Sequence, residues 1–382
     1  MQPGEDLVID LGPFEDESAC EVERIDLPTR DHAAVPTSTR LADHTTLRLG
    51  GPARELVVAT TEAEVVAAVT EADAAGTPVL ILSGGSNLVI GDDGFDGRVV
   101  RIATRGIDVE TSACYGAQAK VAAGENWDDF VALCVEREWI GVETLSGIPG
   151  LVGSTPIQNV GAYGAEVSQV ISRVRTLDRR SGHFKTFFPG DCQFSYRNSL
   201  FKQHPDRYVI LEVTFQMLTG PLSAPIRYPE LARTLGVEAG QRAPLGEVRD
   251  QVLAIRRSKG MVLDESDHDT WSAGSFFTNP ILTPDEAATL PAEAPRFEQP
   301  DGRVKSSAAW LIAHAGFEKG HRLTARPDAP VSLSTKHTLA LTNRGGATSA
   351  DLAELAREVR DGVEAKFGIP LVPEPVRVNC DI

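Results

Sequence analysis

The chain has 382 residues, of which 42% are apolar and 24% charged. These values lie near globular averages, exclude collagen-like, disordered and membrane-embedded classes, and leave room for two or three domains. Its formal net charge of -17 argues against nonspecific nucleic-acid binding, which needs a basic footprint, so an anionic ligand must be drawn by local positive clusters.

Residues 1–30 hold nine acids against two bases and read as a mobile acidic tail. The opening MQPGED lacks the basic and apolar regions of a secretory signal, and no apolar run approaches a membrane span, so a cytoplasmic protein is expected. The five cysteines, Cys20, Cys114, Cys134, Cys192 and Cys380, are scattered without metal-ligand or redox spacing and indicate neither a disulfide framework nor a zinc site. Order begins near Thr45. Residues 55–59 look like a strand, and Thr61 with Glu64 forms a capping box for a helix that carries Val65, Val66, Val69 and Ala72 on one face. A buried strand over 78–82 then opens into Ser83, Gly84, Gly85, Ser86, Asn87 and Leu88. Glycines there let backbone N–H groups converge, and Ser86 and Asn87 add side-chain donors, which makes a phosphate cradle; a tight hairpin is the other reading. The spacing matches neither GxGxxG nor GxxxxGK[ST], so Rossmann and P-loop assignments fail.

Residues 98–102 and 119–123 are extended, and Asn126 starts a helix that turns Trp127, Phe130, Val131 and Cys134 toward a core. It delivers the chain to residues 147–164, GIPGLVGSTPIQNVGAYG, where five glycines and two prolines preclude a regular helix or central strand. A long ordered loop is expected, with a backbone slim enough to approach a large ligand. Residues 174–178 and 183–188 form a hairpin about 179–182, and 208–215 alternate as a strand. Between them, Tyr196 and Arg197 are adjacent; the guanidinium either packs on a surface or clamps a carboxylate or phosphate. A helix over 248–259 ends on Arg256, Arg257 and Lys259, which complement its C-terminus or receive an anion. In residues 271–280, Gly274 permits a tight backbone beside Ser275. Without a GxSxG elbow or a histidine in a triad arrangement, Ser275 is a poor acyl-transfer nucleophile, though it can relay a proton. Residues 305–312 read as a helix and 338–343 as a strand. Leu352, Leu355, Val359, Val363 and Phe367 mark an amphipathic helix stopped by Gly368. Pro373 and Pro375 fix the backbone of Glu374 between them.

Taken in order, residues 46–52, 82–88, 123–127, 145–164, 194–202, 274–280, 305–312 and 371–376 resemble the UDP-N-acetylenolpyruvoylglucosamine reductase family of bacterial cell-wall synthesis, over about residues 45–378. The resemblance implies an α+β fold: a vanillyl-alcohol-oxidase-type FAD-binding module of two subdomains (31–104 and 105–260), a smaller substrate-binding domain (261–368) and a C-terminal segment (369–382) carrying Glu374. It implies noncovalent FAD, cradled by Ser83, Gly84, Gly85, Ser86, Asn87 and Leu88 with Gly153, Ser154 and Gly161 along the flavin. NADPH is the implied co-substrate, and the implied reaction reduces the enolpyruvyl ether of UDP-N-acetylglucosamine-enolpyruvate to UDP-N-acetylmuramate, a peptidoglycan precursor. That reaction delivers hydride to C3 and a proton to C2 of the enol ether. By motif position, Arg197 and Glu374 stabilise the enolate and Ser275 donates the proton. Arg256 and Lys259 match positions that hold the carboxylate and diphosphate, Tyr228 closes over the diphosphate, and Tyr163 and Asn279 are further substrate contacts. The partners implied are small molecules, with no nucleic acid, no membrane insertion and a monomeric protein. The acidic tail, a long connection at 320–330 and Pro375 directly after Glu374 depart from the family pattern. A flavin oxidase on the same fold and a nucleotide-sugar binder without turnover are the other readings.

Overall fold

The computed structural model describes residues 21–25, 27 and 34–382. The N-terminal strand β1 (Glu23–Ile25) belongs to a sheet described below. The next elements are β2 (Ala53–Ala59), α1 (Glu62–Ala74), β3 (Val79–Leu82), β4 (Leu88–Ile90) and β5 (Phe95–Ile102), of which β2, β5 and β3 form a separate three-stranded parallel sheet in that order. Parallel strands need a crossover, and α1 supplies it between β2 and β3. The predicted capping box is present at Thr61 and Glu64, and Val65, Ala68, Val69 and Ala72 are buried beneath the helix.

The second unit is antiparallel. It comprises β6 (Ile107–Ser112), β7 (Gly116–Ala122), α2 (Trp127–Glu136), β8 (Trp139–Ile140), β9 (Gly161–Ala162), β10 (Ala165–Glu166), β11 (Ile171–Asp178), β12 (His183–Phe187), α3 (Leu200–Gln203) and β13 (Tyr208–Thr219). The sheet order is β1-β6-β7-β13-β11-β12, with β8 also paired to β13. Asn126 caps α2 by accepting from Asp129 N. Trp127, Phe130, Val131 and Cys134 face a core shared with Val121, Val213 and Phe215. The glycine-rich stretch 147–164 is a loop broken only by a 3-10 turn at Val152–Ser154 and the start of the β9–β10 hairpin.

Helices α4 (Pro229–Leu235) and α5 (Leu245–Ser258) form a small core of their own through Ile226, Leu231, Val248 and Val252. The C-terminal unit contains β14 (Ile281–Leu282), α6 (Pro284–Thr289), β15 (Phe297–Glu298), β16 (Val304–Lys305), α7 (Ala308–His314), β17 (Val331–Leu333), β18 (Leu341–Asn343), α8 (Ser349–Phe367) and β19 (Val376–Val378). The helix expected from Lys305 begins only at Ala308, because Ser307 caps it. The strand expected over 338–343 is confined to β18. Helix α8 runs as predicted and ends at Gly368, whose φ of +68° is the left-handed C-terminal stop. Leu47, Leu49 and Val89 bury themselves in this unit's core, while β19 pairs in parallel with β4 through Val376 and Leu88. The C-terminal strand is thereby fastened beside the loop at 83–88. The 320–330 connection is anchored by Arg326, which pairs with Asp351 at 2.8 Å.

Two expectations about the termini and cysteines need correction. Within the tail, Glu23–Ile25 is a strand registered against Thr111, Glu110 and Val109. Arg24 lies 3.5 Å from Asp108 and 3.6 Å from Glu110. Sheet addition and a local basic residue hold this segment despite its acidic surroundings; residues 1–20 lie outside the described residues. Cys114 is disulfide-bonded, although the scattered cysteine spacing indicates no disulfide framework. Spacing along the chain cannot reveal proximity that folding creates. Cys192 and Cys380 are free thiols, and Cys134 Sγ sits 3.7 Å from Met217 Sδ in the core. No described helix is long and apolar enough to cross a membrane.

Candidate active site

Two glycine-rich loops meet to make one wall of a cavity of about 670 Å³. Residues 83–88 leave β3, and residues 147–164 follow a buried 3-10 turn at Glu143–Leu145, so both are positioned by the ends of well-packed elements. Their glycines are needed for contact between protein segments. A Cβ on Gly84 would lie 2.5 Å from Gly150 Cα, one on Gly85 would lie 1.9 Å from the His44 carbonyl oxygen, and one on Gly153 would lie 2.5 Å from Ala123 Cβ. Gly85 also has φ +63°, which an L side chain resists. The sequence reading that small residues admit a ligand is thus only half of the physics: the loops are slim because they abut other segments of the chain, Gly84 against the second loop and Gly85 and Gly153 against His44 and Ala123.

Ser83, Gly84, Gly85, Ser86, Asn87, Leu88, Gly153, Ser154 and Gly161 all line this cavity. Buried polar atoms there lack hydrogen-bond partners, among them Ser83 Oγ and Gln158 Oε1. Native proteins rarely leave such atoms unpaired, so these mark positions that a polar ligand completes. The apolar wall from Ile81, Ile102 and Trp127, set against backbone of the glycine loops, suits a flat ring system with a phosphorylated extension. The residues present therefore fit a flavin dinucleotide.

At the other end, three remote segments converge. Arg197 has φ +53°, and its Nη2 donates to the Gly161 carbonyl at 2.8 Å. Its Nε lies 3.1 Å from Glu374 Oε1, an ion pair whose angle leaves Nε without a hydrogen bond. The Ser275 segment runs beside Glu374: Glu374 N donates to the Phe276 carbonyl at 2.8 Å, Thr278 N to the Val372 carbonyl at 3.0 Å, and Phe277 bridges Pro373. Asn87 Nδ2 reaches the Glu374 carbonyl at 3.4 Å, which ties the carboxylate's backbone to the first loop. Burial pushes the Glu374 carboxyl above the ordinary carboxylate range, and Arg197 and Lys202 oppose this without cancelling it. Arg197, Ser275 and Glu374 all line the cavity.

Of the other expected contacts, Arg256 alone reaches the cavity wall. Burial lowers the pKa of its guanidinium, against the pull of Tyr163 and Asp128, and its Nε is unpaired. Tyr163 and Tyr228 pack edge to face at 5.4 Å, Lys259 is paired with Glu230 at 2.6 Å, and Asn279 Oδ1 accepts from Ala308 N at 3.0 Å. These four stand outside the cavity lining in this arrangement. Sequence reasoning passed over Lys202 and Gln158, both in the lining. Lys202 lies within the aromatic and polar segment already singled out, and its signal was a basic residue at the start of a short capped helix.

Comparison with known proteins agrees with this geometry. Residues 53–187 match an FAD binding domain, and residues 265–378 match the C-terminal domain of UDP-N-acetylenolpyruvoylglucosamine reductase. The UDP-N-acetylenolpyruvoylglucosamine reductase of Cutibacterium acnes is 56% identical over 380 residues, covering 97% of this chain and 99% of that protein. The Streptomyces coelicolor protein of the same name is 57% identical over 350 residues, covering 89% of each. The crystal structure of the Thermus caldophilus enzyme covers 94% of this chain and 99% of its own, with a TM-score of 0.60 at 23% identity, and so shares the fold. The expected α+β architecture, an FAD-binding module followed by the family's own C-terminal domain, is the one present. With relatives of this identity and coverage, the chain belongs to the UDP-N-acetylenolpyruvoylglucosamine reductase family.

Proposed function

We propose that this protein is a flavin-dependent oxidoreductase that uses NADPH to reduce the enolpyruvyl ether of UDP-N-acetylglucosamine-enolpyruvate to UDP-N-acetylmuramate. It acts on these small molecules as a cytoplasmic monomer. The observation that carries the reading is the convergence of Arg197, Ser275 and Glu374, from three distant segments, on the cavity whose far wall is the pair of glycine loops. Residues 83–88 hold the diphosphate of a noncovalent FAD, with Gly153, Ser154 and Gly161 along the ring system. When bound, FAD would supply the two-electron redox chemistry that links NADPH to the enol ether.

Reduction at C3 leaves negative charge spread over C2 and the adjoining carboxylate of the substrate. Preorganised positive or hydrogen-bond-donating groups act most strongly where that charge develops, in a site shielded from water. The Arg197 guanidinium supplies fixed positive charge. Glu374, its carboxyl pushed upward by burial, donates a hydrogen bond in its protonated form, whereas an ionised carboxylate would repel the enolate. Ser275 Oγ gives the proton to C2; a hydroxyl is a weak acid, and only an acceptor as basic as an enolate carbon draws it. Arg256 receives the substrate's anionic groups from the cavity wall. Lys259, Tyr163, Tyr228 and Asn279 join them when the nucleotide extends past the described wall, where Lys259 exchanges Glu230 for a phosphate. Purified protein should oxidise NADPH in proportion to added enolpyruvyl nucleotide. A flavin-containing preparation that oxidises NADPH only with oxygen would support the oxidase reading, and nucleotide affinity without turnover would support a binding protein.

A further inference from the structure

Lys202 is a cavity residue to which the reaction as written gives no role. It stands in the first turn of α3, where Ser199 Oγ accepts from its backbone N–H at 3.2 Å. Its side chain turns inward and Nζ donates to the Arg197 carbonyl at 3.0 Å. Among the described residues no carboxylate lies within ion-pairing distance of this ammonium group; the charges it senses are Glu374, which favours its protonated form, and Arg197, which opposes it. Burial dominates and lowers its pKa. A half-buried lysine without an ion pair loses solvation that a neutral donor in the same place would not lose. A purely structural tie to a carbonyl does not require a charge.

The carbonyl it holds is that of a residue under backbone strain. Arg197 is left-handed at φ +53°, a conformation unfavourable for a non-glycine residue that persists only where surroundings over-determine it. The reciprocal backbone bonds between Ser195 and Asn198, both 3.1 Å, and the Lys202 contact fix the turn, so that Nε of Arg197 faces Glu374 while Nη2 is held by Gly161. The charged and titratable groups that act on Glu374 are Arg197 and Lys202, and the Tyr196 hydroxyl in turn senses the Glu374 charge.

We propose that Lys202 is a positioning residue of the reduction step: its ammonium group locks the left-handed Arg197 backbone through the carbonyl and supplies the second positive charge facing Glu374. The proposal rests on the reductase reading of the cavity. Removing the charge raises the proton affinity of Glu374 further, because one of the two cations opposing its protonation is gone. If protonated Glu374 is the active form, the alkaline limb of the substrate-driven step must move to higher pH.

The test uses holoenzyme of wild type, Lys202→Met and Lys202→Arg, each checked for FAD content and melting temperature. Each is reduced with NADPH, and its reoxidation by the enolpyruvyl nucleotide is followed anaerobically across pH. Lys202→Met should reoxidise about 10–100-fold more slowly as Arg197 loses its fixed geometry, with its alkaline limb displaced upward by about 0.5–1 pH unit. Lys202→Arg should keep the limb at the wild-type position even where its rate is only partly restored. A Lys202→Met limb superimposed on wild type, or a Lys202→Arg limb displaced as far as that of Lys202→Met, would overturn the role. A wild-type enzyme that NADPH reduces but the nucleotide fails to reoxidise would instead overturn the reductase reading itself.

Discussion

Gly84→Ala tests whether the cofactor wall depends on the contact between the two glycine loops. The added Cβ would sit 2.5 Å from Gly150 Cα, 3.0 Å from the Gly150 carbonyl carbon and 3.2 Å from Leu151 N. Carbon atoms in contact prefer about 3.5–4.0 Å, so the loops must part by about 1 Å. All three neighbours are backbone and cannot swing aside as a flexible side chain would. Overpacking of this kind costs about 1–3 kcal/mol. If the loops relax without ligand and must be pushed together to hold it, the cost appears as FAD binding weakened about 5- to 150-fold. Reconstitution of apoprotein with FAD, followed by flavin fluorescence, reads the change directly. Gly190→Ala is the control, since nothing lies within 4 Å of a Cβ there. Wild-type FAD affinity and melting temperature in Gly84→Ala would refute the idea that loop contact shapes the wall.

Glu374→Gln keeps a neutral hydrogen-bond donor and cannot ionise, so the fall in the substrate half-reaction as pH rises through the raised Glu374 pKa should vanish; a limb that persists belongs to another group. Glu374→Ala removes the donor altogether and should slow that step about 10²–10³-fold in stopped-flow reoxidation. Ser275→Ala should slow reoxidation by substrate about 10²–10⁴-fold while reduction by NADPH continues, and equal loss in both half-reactions would contradict proton donation. Buried Asp269 accepts from Thr335 N and from Arg344 Nη1, both at 2.8 Å. Asp269→Ala leaves that guanidinium without its partner and should cost about 3 kcal/mol in denaturant unfolding; a loss below about 1 kcal/mol would show the pair to be dispensable. Burial raises the pKa of Asp269, but its hydrogen bonds from Thr335 and Ser334 and the Arg344 charge outweigh this and depress it. Its contribution is therefore present at neutral pH and is lost as pH falls below about 4.

Local signals in the sequence were sufficient for local structure. The Thr61 and Glu64 box, the Asn126 cap and the apolar spacing that runs from Leu352 to Gly368 each involve neighbours within a turn or two, where propensity and capping decide the outcome. The site was legible only through motif order, because its assembly depends on pairings that no local pattern encodes. β19 joins β4 from the far end of the sequence, and that pairing carries Glu374 to the loop at 83–88. The glycines illustrate the limit most clearly. Sequence alone says that Gly84 and Gly153 remove bulk, but the atoms that need the space are Gly150 and Ala123. Tyr163, Tyr228, Lys259 and Asn279 satisfy one another or nearby protein groups instead of facing the cavity, a choice set by tertiary packing. Lys202 escaped notice for the complementary reason: only the folded turn brings its ammonium group to the Arg197 carbonyl.

The central claim is that one cavity carries a flavin and uses it to connect NADPH with an enolpyruvyl sugar nucleotide. An anaerobic visible-absorption titration tests this most directly. The purified protein should show a flavin band that NADPH bleaches and that the enolpyruvyl nucleotide then restores stoichiometrically in the absence of oxygen. A protein that remains colourless after incubation with FAD, or a bleached flavin that only oxygen restores, would contradict it.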